Sequence, residues 1–213
     1  MQPQPVTAVV TPREACLRLV GLSALFCALY RLSNQLSASR GDVQGGVLPW
    51  DHAIPFVDWT VWPYLSIVLP FVASFALCRD RAALDRHCRS VLLALGLALA
   101  CYALVPLRFA FERPATSGLT GLLFDGLSAF DLPYNRAPSL HIALLVILWA
   151  RLGPALPRGW PRALLAGWFL LIAGSVLTTW QHHLVDIPAG LAAGAFSVWL
   201  VRALGRRAML RTV

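Results

Sequence analysis

The sequence predicts an all-α fold, a polytopic membrane bundle of six transmembrane helices built as one domain over residues 1–213. Three observations predict it. The chain is 58% hydrophobic and only 13% charged, with a mean hydropathy of +0.65, too little charge to cover a soluble domain of this size. Its apolar residues fall into runs of roughly 17–21, the length that crosses a bilayer as helix. Its basic residues fall in alternate gaps between those runs.

The first run, 16–32, carries Arg18 and Arg31 near its ends. Its apolar core is too long for a cleavable signal peptide, and no small-residue cleavage site follows Tyr30. Residues 1–12 precede it and are expected to be disordered, since the first ten carry two prolines and no charged side chain. The remaining runs are 59–78, 91–107, 139–156, 163–180 and 184–204. The connection 33–58 holds Pro49, Trp50, Pro55 and Phe56 beside Trp59, a composition that anchors at a membrane interface. The connection 108–137 is the longest. Within it Leu119, Leu122, Leu123, Leu127 and Phe130 approximate one helical face, either a helix lying in the interface or a cap packed over the bundle. Gly190 and Gly194 form a G-x-x-x-G in the last run, which reads as close helix packing.

The formal net charge is +8, and every basic residue other than His is Arg. A pI near 10.1 would suggest a nucleic-acid partner for a soluble protein, but here the arginines follow topology. Arg13, Arg18, Arg79, Arg81, Arg86, Arg89, Arg151, Arg158, Arg162, Arg202, Arg206, Arg207 and Arg211 all fall on one side of six alternating spans. The positive-inside rule makes that side cytoplasmic. The far side holds Asp42, Asp51, Asp58, Glu112, Asp125, Asp131 and Asp186. The five cysteines contain no C-x-x-C pair, so neither a zinc nor a redox motif is indicated, and buried, reduced thiols are expected. No carboxylate-rich cluster suits Mg²⁺, so no metal or other cofactor is expected.

Alternating spans bring three segments to the far side: Arg108 to Pro114, Arg136 to His141, and His182 to Asp186. They unite two histidines, a carboxylate and three arginines. His182 and Asp186 are four apart, so they share one helical face, and a carboxylate that fixes an imidazole tautomer activates it as nucleophile or base. His183, three residues before Asp186, is a geometrically possible alternative partner. Arginine forks bind phosphate at two points, and the backbone N–H groups near Ser139 and Leu140 open a helix, where anions bind. Two imidazoles can divide the work of attack and leaving-group protonation. His52 and His87 read as bland, His87 in a basic cytoplasmic loop.

These residues resemble the type 2 phosphatidic acid phosphatase superfamily of membrane lipid phosphatases and phosphotransferases. That family's pattern is K-x6-R-P, P-S-G-H and S-R-x5-H-x3-D. Here the parts are Arg108-x4-Arg113-Pro114, Pro138-Ser139-Leu140-His141 and Ser175-Val176-x5-His182-x3-Asp186. The likeness spans roughly residues 50–205. Leu140, the His-His pair and the segment from Ile54 to Tyr64 are most similar to the inositol phosphorylceramide synthase and sphingomyelin synthase branch. The resemblance implies that His182 is a nucleophile forming a phospho-histidine, oriented by Asp186. His141 would protonate the leaving group. Arg108, Arg113 and Ser139 would hold phosphate oxygens, with Arg136 standing in for the family arginine replaced by Val176. It implies a lipid phosphate substrate, an acceptor that is water or an alcohol, and a site on the outer face of the cytoplasmic membrane. It also suggests a cytoplasmic dual-specificity phosphatase as partner, because that domain follows this one in some bacterial relatives. The rival expectation is a non-catalytic scaffold or transporter.

Overall fold

The computed structural model describes residues 9–210, with backbone alone over 208–210. Expected disorder over 1–8 lies outside the described residues. From Val9 onward the chain is ordered: the Val10 N–H donates to the Arg79 carbonyl at 3.0 Å, and Thr11 caps the first helix by accepting from the Glu14 N–H at 3.2 Å. The expectation of disorder through residue 12 is corrected there, because that backbone pairs with the segment before a later helix.

The architecture is all-helical. Helix α1 is Pro12–Ala38, α2 is Val61–Leu65, α3 is Val68–Ala76 and α4 is Arg81–Leu104. Next come α5, Gly118–Phe130, α6, Leu140–Leu152, α7, Trp160–Thr178, and α8, Asp186–Leu210. Five segments are long and apolar enough to cross a membrane: α1, the broken pair α2–α3 with its leading turn, α4, α7 and α8. This is the pattern of a multi-pass membrane protein. The expected span over 139–156 is shorter than the others. Its α6 has 13 residues and passes into a tight turn over Gly153–Ala155, because Pro154 supplies no N–H to continue the helix.

α6 is nonetheless the central helix. Ala143 and Leu148 are fully buried, and Ile142 and Ile147 nearly so. α8 lies against it through two glycines. A Cβ on Gly190 would sit 2.6 Å from the Ser139 carbonyl oxygen, and one on Gly194 the same distance from that of Ala143. The G-x-x-x-G is therefore a packing seam, as its spacing suggests. By contrast Leu17, Val20 and Leu25 on α1, and Leu164 and Leu170 on α7, point outward, as expected of surfaces solvated by lipid.

Two expectations change with the helix limits. α4 starts ten residues before the apolar run at 91, since Asp80 caps it by accepting from the Ala82 N–H at 2.9 Å. His87 therefore lies inside a helix, not in a loop. Cys16, Cys27 and Cys101 are exposed on helix surfaces and only Cys78 is buried, so burial of the thiols does not hold for those three.

Helix directions alternate so that the C-terminal ends of α1, α4 and α7 meet the N-terminal ends of α6 and α8. Tyr30, Tyr102 and Leu140 pack together there. At the other end Arg18 pairs with Glu14 at 2.8 Å and with Asp85, and Arg81 reaches Glu14 at 3.2 Å. A two-residue parallel pairing, β1 (Gln44–Gly45) with β2 (Leu107–Arg108), ties the first long connection to the segment after α4.

Candidate active site

The site is built on the turn between α7 and α8. α7 ends at Thr178, and Trp180 takes a left-handed conformation (φ 55°). Val176 O then accepts both the Gln181 and His182 N–H groups, at 3.2 and 3.0 Å. This reversal drops two adjacent imidazoles into the bundle just before Asp186 opens α8. Both are buried.

The two histidines separate at once. His182 Nδ1 lies 3.1 Å from Asp186 Oδ2, and the same oxygen accepts the His183 backbone N–H at 2.9 Å. The His183 ring turns elsewhere. Its Nδ1 is 3.5 Å from Asp51 Oδ2, its Nε2 accepts the Ala110 N–H at 3.4 Å, and its face stacks on Phe109 at 4.3 Å. Asp51 is itself buried and accepts the Leu48 and Leu184 N–H groups, at 2.7 and 2.8 Å. Asp51, through the Leu184 N–H, thus ties the first long connection to the turn before α8. Burial lowers the His183 pKa from its ordinary value, while the charges of Asp51 and Asp186 oppose that shift.

With Nδ1 committed to Asp186, Nε2 is the His182 nitrogen left for chemistry. The ring lines a cavity of about 90 Å³ together with His141, Tyr30, Tyr64, Tyr102 and Asp131. His141 is in the first turn of α6 and stacks on Tyr64 at 4.1 Å. A second cavity, of about 230 Å³, is lined by Arg113, Arg136, Ser128, Phe109 and Trp180, and it shares Asp131 with the first.

The structure places the expected anion-binding groups unevenly. Arg113 is half-buried, over the Phe124 ring at 4.5 Å, and donates to Ser128 Oγ at 3.2 Å; burial lowers its pKa. Arg136 is buried, donating to the Gln181 carbonyl and to the Leu132 carbonyl at 2.7 Å, with Nε unpartnered. Arg108 is exposed on β2 and lines neither cavity. Ser139 is fully buried and caps α6, accepting the Ile142 N–H at 3.5 Å. Its own N–H is taken by the Asp186 carbonyl at 3.2 Å, so that amide is not free to bind an anion. Val176 is buried in the apolar cluster of Tyr64, Ile142 and Ile172.

Asp131, Tyr30, Asn34 and Asp51 are the site residues that sequence reasoning missed. Asp131 Oδ1 accepts the Tyr30 hydroxyl at 2.8 Å and Asn34 Nδ2 at 2.9 Å. The available signal was the polar stripe Tyr30, Ser33, Asn34 and Ser37, spaced three and four apart along an otherwise apolar helix. α5 covers the site as a cap: Phe124 packs on Phe56 at 5.5 Å, and Leu127 joins the Tyr64 cluster. Of the expected leucine face, Leu127 packs on the bundle while Leu119 and Leu122 are exposed. His52, in the turn Pro49–Ala53, is exposed against Phe111. Among the described residues no group of three or more His, Cys, Asp or Glu is placed to hold a metal ion. No family model, curated protein or solved structure matches the chain.

Proposed function

We propose that this protein is a membrane-embedded lipid phosphatase or phosphotransferase that works through a phospho-histidine on His182, as its resemblance to the type 2 phosphatidic acid phosphatase superfamily implies. One observation carries the reading. A buried imidazole held by a carboxylate through Nδ1 shares a small cavity with a second imidazole. That cavity, of about 90 Å³, is smaller than the adjoining one of about 230 Å³.

In the proposed reaction His182 Nε2 attacks phosphorus, and the bond to the ester oxygen breaks. His141 donates a proton to that oxygen as it leaves. Asp186 balances the positive charge that develops on the His182 ring. In the second half, His141 takes the proton of the incoming water or alcohol, and the N–P bond breaks. Arg113 and Arg136 supply the positive field from the adjoining cavity, so the scheme needs no metal. Arg108 has no part in it.

A second reading, transfer of the phosphoryl or headgroup-phosphoryl unit to an alcohol such as inositol or a glycerol headgroup, is favoured by the adjoining cavity that shares Asp131. The arginine asymmetry along the sequence supports a cytoplasmic-membrane location with the histidines on the outer face. A dual-specificity phosphatase on the cytoplasmic side remains the partner implied by the resemblance. Release of inorganic phosphate from a short-chain phosphatidic acid by the detergent-purified protein tests the enzyme. A new lipid formed on adding candidate alcohols distinguishes transfer from hydrolysis. Absence of both activities would leave the scaffold or transporter reading in its place.

A further inference from the structure

A third cavity, of about 240 Å³, opens at the end of the bundle opposite His182. Arg86 of α4, Arg151 of α6 and Arg202 of α8 line it, with His87, Ser90 and Ile147. A topological charge bias requires arginines at this end of the helices. It does not require that three from three different helices converge on one cleft. Among the described residues no acidic side chain lines the cleft; Asp80 lies 3.8 Å from Arg86. Arg202 and Arg151 each give one N–H to a backbone carbonyl, of Ala150 at 3.3 Å and of Leu77 at 3.1 Å. A guanidinium has five such donors, so most of their capacity is unspent, and Arg151 Nε is buried without a partner.

His87 adds a second constraint. It is only 4% exposed. The Ser74 hydroxyl donates its one proton to the Phe71 carbonyl at 2.6 Å. It therefore accepts at His87 Nε2, 2.9 Å away, which places the neutral ring's proton on Nε2. Nδ1 is left as a buried acceptor with no partner, a costly state. His87 is one of the cleft's lining residues, and a ligand that satisfied both the arginines and Nδ1 would be anionic and carry a proton. A phosphate monoester meets both needs in its monoanion, the minor form at neutral pH because the second ionisation is near pH 6. A phosphodiester has no proton to give.

We propose that this cleft binds a phosphomonoester anion, from a phosphatidic-acid-type headgroup or as free phosphate, at a site separate from the His182 cavity. The full chain carrying His182→Ala, purified in detergent, keeps turnover at the other end from consuming the probe. Native mass spectrometry with short-chain phosphatidic acid and with phosphatidylglycerol reads the number bound. The monoester should bind about tenfold more tightly than the diester, the scale of one hydrogen bond to a charged group. Adding Arg86→Gln with Arg202→Gln should remove one bound monoester per chain. If that variant does not fold, Arg202→Gln alone should weaken that site by a similar factor. His87→Leu should retain anion binding and erase the preference for monoester. Displacement by millimolar phosphate assigns the site to the free anion, and its failure assigns it to the lipid; both support a monoester site. Equal binding of monoester and diester, or stoichiometry unchanged by the arginine substitutions, overturns it.

Discussion

Asp186 Oδ2 receives two hydrogen bonds from successive residues, one from the His182 ring and one from the His183 backbone. One carboxylate therefore orients the first imidazole and excludes the second, whose ring is 3.5 Å from Asp51. His182→Ala should abolish a ³²P-labelled phospho-enzyme and all turnover. Asp186→Asn should slow turnover by about 10²-fold or more, within the range of a lost acid–base element. His183→Gln should retain most turnover in the fraction that folds. A dead His183→Gln beside an active His182→Ala would move the nucleophile by one residue.

His141→Ala should reduce turnover of an alkyl phosphate by about 10²–10⁴-fold, because an alkoxide then leaves without a proton. The loss should be far smaller with a nitrophenyl phosphate, whose leaving group needs none. Equal losses on the two esters, measured at saturating substrate, would remove His141 from the acid role.

The depressed His183 pKa gives a pH dependence of stability with a definite sign. Burial favours the neutral ring in the folded protein, so between its folded pKa and the ordinary value of 6.5 the unfolded chain binds more protons. The stabilisation is complete above 6.5 and is lost as pH falls through the folded pKa. Thermal unfolding in detergent should show melting temperature falling below pH 6.5, and His183→Gln should flatten that fall. An unchanged profile in the variant would assign the titration elsewhere.

Gly190→Ala should destabilise the bundle by about 1–3 kcal/mol, the usual cost of overpacking, because its Cβ would meet the Ser139 carbonyl at 2.6 Å. Gly167→Ala, where nothing lies within 4 Å, should be neutral or slightly stabilising, since alanine is the better helix former. Comparable melting temperatures for the two variants would contradict the α6–α8 seam.

The proposed orientation is open to cysteine labelling of intact cells in a cysteine-free background. An impermeant reagent should reach a cysteine replacing Thr116 and not one replacing Arg158. The opposite labelling would invert the topology.

The apolar runs made the helices legible, because hydrophobic length is a local property and bilayer thickness sets its scale. Helix ends were less so: α4 extends over Arg81 to Ser90 because a cap and a buried polar face continue it after the apolar run stops. The histidine–carboxylate pair was readable from a spacing of four. The Asp51–His183 and Tyr30–Asp131 contacts were not, since they join residues 132 and 101 apart with no shared period. Arg108 shows the converse. Its place in a motif suggested a role, and the fold leaves it exposed, lining neither cavity.

The polar stripe of α1 has a consequence for synthesis. The Tyr30 and Asn34 side chains find their partner in Asp131, 101 and 97 residues later, and Ser33 finds Asn135 after 102. At roughly 5–20 residues per second of translation, the first helix waits on the order of 5–20 s in the bilayer with these groups unmatched. The segment between α5 and α6 then arrives and takes them up.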